Sequence, residues 1–194
     1  KEPITLRELL AMPPDQRDKC DIARMNLLCT EGLPKAENVN IDKSLATLNT
    51  WAAQIGSYTW ANIDEFQKYP EKFKNNENFY KMVALISFVQ RGKHVGYNPA
   101  RQPYSESNDT FFKDSRDLFV HGLVDAPYFG TCASMPVLYV ALGRRLGYPL
   151  CLVTTRSHLF VRWENPDGQS SFNIEGTNNG LTTHDYDYYK QWPV

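Results

Sequence analysis

Cys132, His158, Asn173 and Glu175 fall in one C-terminal stretch of the 194-residue chain, and their types are those of thiol chemistry. A cysteine attacks as its thiolate, which the free N–H groups and dipole of a helix N-terminus stabilise. Cys132 stands in "GTCASMP", directly ahead of an apolar run from Ser134 to Leu146. His158 follows 26 residues later, and an imidazole of pKa about 6.5 exchanges protons with a thiol near neutrality. A third group must fix the ring tautomer. Asn173 and Glu175, two apart and so on one face of a strand, are both candidates. Such a set performs acyl transfer on an amide or ester through a covalent thioester, with water or an amine as acceptor. The oxyanion formed on the way needs N–H donors; the Cys132 backbone N–H is one, and the Asn98 amide in "GYNP" is a candidate for another.

These side chains must be carried by elements that the sequence also marks. After Cys132, the segment Ser134 to Leu146 is apolar until Arg144-Arg145 and stops at Gly147 and Pro149, which predicts a core helix with an exposed basic end. The period then changes to two: "LCLVTT" (150–155), "HLFVRWE" (158–164) and "SSFNIEG" (170–176) read as antiparallel strands, with Asn165-Pro166-Asp167-Gly168 as a hairpin turn. Upstream, start and stop signals predict a helix from Asp15 to about Thr30. Ile41, Leu45, Leu48, Trp51 or Ala52 and Ile55 predict a second, capped by Asn40 or Asp42. Phe79, Met82, Val83, Ile86 and Val89 predict a third ending before Gly92, and Asp114 to Val124 a short fourth. Residues 92–112 collect Gly, Pro, Asn and Ser and read as a long loop. The ending "HDYDYYKQWPV" offers Tyr186, Tyr189 and Trp192 for packing and calls for no chemistry of its own.

The expected architecture is therefore one α+β domain over 1–194, with a mostly helical part (1–91), a loop-rich connection (92–129), and a core helix on an antiparallel sheet (130–194). Charges nearly cancel, 21 Lys and Arg against 22 Asp and Glu, which argues against nucleic acid or an anionic membrane surface as partner. No apolar run reaches about 18 residues, so no membrane-spanning segment is expected. Cys20, Cys29, Cys132 and Cys151 match neither a zinc knuckle nor a disulfide framework; reduced thiols in a cytoplasm are the simpler expectation. His94, His121 and His184, even with Asp185, show no metal-ligand spacing, and no metal or cofactor is expected.

The run "GTCASMPVLYVALGRRLGYPL", then "SHLFVRWE", then "FNIEGT", resembles the transglutaminase-like superfamily of the papain-like fold, and within it a bacterial group of largely unassigned function. The likeness is densest from Gly130 to Thr177. It implies Cys132 as nucleophile, His158 as base and Glu175 at the position of the acid. Glu175-Gly176-Thr177 departs from the family's usual Asp-x-Thr by one methylene, which keeps Asn173 as the alternative orienting residue. The implied function is a peptidase, amidase or transglutaminase-like acyltransferase acting on a protein, peptide or small amide. The alternative is an inactive member of the fold that serves as a protein-interaction module.

Overall fold

Several of the helices begin where a side chain takes N–H groups that the helix itself leaves open. Asn40 Oδ1 accepts from the Lys43 N–H at 2.9 Å, Asp21 Oδ1 from Ala23 and Arg24, and Asn76 Oδ1 from Asn78 and Phe79. In a computed structural model that describes residues 2–98, 113–155, 158–168, 171–176 and 181–190, the elements run α1 (Leu6–Ala11), α2 (Pro14–Arg17), α3 (Ile22–Leu28), α4 (Ile41–Ala61), α5 (Ile63–Lys68), α6 (Glu77–Ser87), β1 (Gly96–Tyr97), α7 (Ser115–Leu118), α8 (His121–Val124), β2 (Phe129–Gly130), α9 (Met135–Arg145), β3 (Leu150–Thr154), β4 (Leu159–Glu164), β5 (Ser171–Ile174) and α10 (Tyr186–Lys190). The class is mixed helix and sheet, as expected.

The predicted stripe of α4 is the buried one: Leu45, Leu48, Trp51, Ala52 and Ile55 all face the core, and Asn40 rather than Asp42 is the cap. Asp42 instead meets Arg24 at 3.3 Å. The helix expected over 15–30 is two, because Asp21 leaves helical geometry to cap α3. Likewise the helix expected over 114–124 is broken into α7 and α8 at Phe119, whose backbone is extended. The helix expected to end before Gly92 passes at Phe88 into a π turn reaching Gly92, closed by the Lys93 N–H on the Phe88 carbonyl. The short α1, α5 and α10, and the two-residue β1 and β2, were not foreseen from sequence. Residues 99–112 of the predicted loop lie outside the described residues.

Helix α9 is the centre of the molecule. Every residue from Met135 to Gly143 is buried, with α3, α4 and α6 packed on it from the helical side and β3 and β4 from the other. Such a helix can be apolar all round because no face meets water. Its basic end does reach the surface, where Arg145 pairs with Asp21 at 2.5 Å and donates to the Ala141 carbonyl. Strands β3, β4 and β5 form an antiparallel sheet in that order, with Cys151 opposite Arg162 and Arg162 opposite Asn173. Apart from this sheet, β1 and β2 pair in parallel, Gly96 with Phe129 and Tyr97 with Gly130. No helix among the described residues is long and apolar enough to cross a membrane.

Candidate active site

Cys132 lies in a turn that leads into α9. The Thr131 carbonyl accepts from the N–H groups of Ser134 and Met135, and Thr131 Oγ1 accepts from the Ala133 N–H at 3.2 Å. The turn is staked from below, since the hydroxyls of Thr131 and Ser134 both donate to the Asp117 carbonyl at 2.8 Å. Ser134 Oγ also accepts the Thr131 N–H at 3.0 Å. Gly130 is required here, because a Cβ would stand 2.6 Å from Leu123 Cδ2 as well as against the Ser134 hydroxyl. The result is a rigid turn from which the half-buried Cys132 projects, and its own N–H donates to no acceptor among the described residues.

His158 enters from the sheet. It stands just before β4, where its carbonyl accepts from the Thr155 N–H at 2.9 Å and continues the ladder with β3. Asn173 is opposite Arg162 in the register, and Glu175, two residues further on, shares its face at the end nearer His158. There the His158 Nε2 and Glu175 Oε2 stand 2.7 Å apart, both residues buried. The Cys132 thiol lies beside the same ring and acts to raise its pKa, while Glu175 takes Nε2. Burial opposes a charge on the imidazole, yet the neighbouring Cys132 thiol and the hydrogen bond and charge of Glu175 outweigh it and lift the pKa to about 9. Burial also works against the Glu175 carboxylate, but hydrogen bonds from His158 and Tyr189 hold its carboxyl below the usual range. The ring is therefore imidazolium across neutrality, facing a carboxylate. A histidine whose folded pKa is raised stabilises the fold fully below about 6.5, and this stabilisation is lost as pH climbs through about 9.

One close approach ties the sheet side to the helix side. A Cβ on Gly176 would stand 2.8 Å from both Cγ and Cδ of Pro136, so only glycine lets the end of β5 rest on the first turn of α9. That contact brings Glu175, and with it His158, up to the turn bearing Cys132.

The structure thus brings Cys132, His158 and Glu175 together, and it separates Asn173 from them. The buried Asn173 donates from Nδ2 to the His184 carbonyl at 3.2 Å instead of meeting the imidazole. Asn98 is adjacent, since its backbone N–H donates to the Gly130 carbonyl at 2.7 Å. Its side-chain amide, however, donates to Asp117 Oδ1 at 2.7 Å. The other cysteines keep apart from this chemistry. Cys20 is buried and Cys29 exposed, and burial and Glu164 push the Cys151 thiol up. The buried His121 shares a 3.2 Å contact with Ser115 Oγ, and His184 stacks on Tyr188. No group of three or more His, Cys, Asp or Glu suited to a metal occurs among the described residues.

Tyr189 is the residue that sequence reasoning missed. Its hydroxyl donates to Glu175 Oε1 at 2.5 Å, and its ring lies 3.9 Å from that of Phe160, tilted by 11°. The expectation that the ending contributes packing alone is corrected by this hydrogen bond; Trp192 and the Tyr186 side chain lie outside the described residues. Asp117 was missed as well, because its part is played by a backbone carbonyl, which no residue type announces. Two surface hollows, one with Arg24 and Arg145 in its walls and one with Trp60 and Phe66, include none of the three clustered groups. The chemistry, not the hollows, marks the site. No family model, no curated protein and no solved structure matches the chain.

Proposed function

We propose that this protein is a cysteine acyltransferase or hydrolase of transglutaminase-like type, acting on an amide or ester carbonyl through Cys132, His158 and Glu175. The reading rests on one observation above the others: a buried imidazole held at 2.7 Å by a carboxylate on one nitrogen while a half-buried thiol lies beside the same ring. In the proposed cycle the Cys132 thiolate attacks the carbonyl carbon, and the oxygen takes up the negative charge beside the Cys132 N–H. The C–N or C–O bond then breaks as the His158 imidazolium gives its proton to the leaving group, and a thioester on Cys132 remains. Water or an amine next attacks the thioester, passes its proton to His158, and expels the thiolate. Glu175 stays ionised throughout and keeps the ring in one tautomer. The papain-like arrangement belongs to the same proposal, supported by the order of core helix, His strand and acid strand.

The test uses two acyl donors that share an acyl group, a p-nitrophenyl ester and the corresponding anilide. Incubation with the ester is expected to leave one acyl adduct on Cys132 by peptide mass spectrometry, and none on Cys20, Cys29 or Cys151. Anilide cleavage needs the imidazolium, so its rate should fall about tenfold per pH unit above about pH 9, where His158 loses its proton. The nitrophenolate leaves without a proton, so the ester shows no such fall. An adduct spread over all four thiols, or two donors with the same alkaline profile, rejects the reading.

A further inference from the structure

We infer that Tyr189 is a positioning residue of this site: its phenol O–H, donated to Glu175 Oε1 at 2.5 Å, fixes the carboxylate so that Oε2 meets His158 Nε2 at 2.7 Å. Residues 181–190 are thereby a working part of the site. The effect on rate rests on the function proposed above, whereas the effect on the imidazole does not.

A buried carboxylate has two oxygens to satisfy, and each left without a donor carries a desolvation cost. In Glu175 the imidazole serves Oε2 and the phenol serves Oε1. The terminal torsion of a glutamate is broad and roughly two-fold, so it supplies little aim of its own. Aim comes from its donors, and of the imidazole and the phenol Tyr189 is the one that does not titrate in the working range, since burial and the neighbouring carboxylate push its phenol well above the ordinary tyrosine value.

The phenol is itself held firmly. Tyr189 is buried, stacks on Phe160, and lies nearly parallel to the His158 ring, 6.4 Å between centroids at 15°. The segment that delivers it is pinned to the end of the sheet at Glu175 and at Asn173. The Thr182 carbonyl accepts the Glu175 N–H at 3.0 Å, and the His184 carbonyl accepts from Asn173 Nδ2. A phenylalanine would reproduce the stacking and lose only the donor, which makes the role separable from packing.

The experiment takes the full chain as Tyr189→Phe, Glu175→Gln and the double variant. Two readouts are followed: the pH titration of the His158 ring by nitrogen-15 NMR, and the rate at which Cys132 reacts with iodoacetamide at pH 7. Y189F is expected to lower the imidazole pKa from about 9 by at least about one unit and to slow Cys132 about tenfold. Because Tyr189 acts through Glu175, adding Y189F to E175Q should change the rate by less than about twofold. An unchanged ring titration in Y189F overturns the inference, and so does an equal loss in both backgrounds, which is what packing alone would give. If Cys132 of the parent chain reacts no faster than the exposed Cys29, the functional reading fails, and the ring titration alone then decides the role of Tyr189.

Discussion

Replacing His158 by alanine is expected to slow alkylation of Cys132 by iodoacetamide at pH 7 by about 10²-fold or more, and to remove amide turnover altogether. The argument is local. The imidazolium stands beside the sulfur and opposes the charge of its thiolate, and its loss also removes the acid of the proposed cycle. Cys132→Ser, which keeps the size of the side chain and replaces the sulfur with a far weaker nucleophile, should abolish the acyl adduct while leaving the fold intact. Rates of modification measured by mass spectrometry at several pH values check both variants. If H158A reacts as fast as the parent chain, the nearness of thiol and ring has no chemical consequence and the proposed mechanism falls with it.

The second large effect concerns stability. Phe160 is about 1% exposed, stacks on Tyr189, and lies 6.4 Å from the His158 ring at 24°. Phe160→Ala should cost about 3–5 kcal/mol in chemical denaturation, the usual range for emptying a buried phenylalanine site. Leu138→Ala, in the fully buried centre of α9, should cost about 2–5 kcal/mol by the same rule. The two variants differ in what else they lose. F160A also removes the ring against which Tyr189 rests, so Cys132 reactivity should drop in F160A at a denaturant concentration where L138A is still folded and still reactive. Equal reactivity of the two folded variants would show that the stack does not bear on the site.

How much of this was legible in the sequence depends on the range of the interactions involved. Helix α4 was legible because its apolar residues recur over about four turns and a capping Asn40 precedes them. Helices α1 and α5, of six residues each, are too short for such a period to stand out. The break between α2 and α3 turns on Asp21 choosing to cap, which composition does not announce. At the site, Cys132, His158 and Glu175 were legible because their types are restricted by chemistry and the strands around the last two alternate cleanly. The choice between Glu175 and Asn173 was not, since both lie on one face and only the position along β5 relative to His158 separates them. Nor was Tyr189: the ending holds Tyr186, Tyr188 and Tyr189 in four residues, and nothing local tells which phenol turns inward.

Thiol and imidazole are mounted on different layers. Cys132 hangs from a turn anchored to the Asp117 carbonyl on the helical side, and His158 from the edge where β4 begins. The gap between sulfur and nitrogen is therefore a seam, and its width is set by how the sheet seats on α9 through the Gly176–Pro136 touch. On the reading proposed above, warming that slackens the seam is expected to slow Cys132 alkylation before the helical circular dichroism is lost.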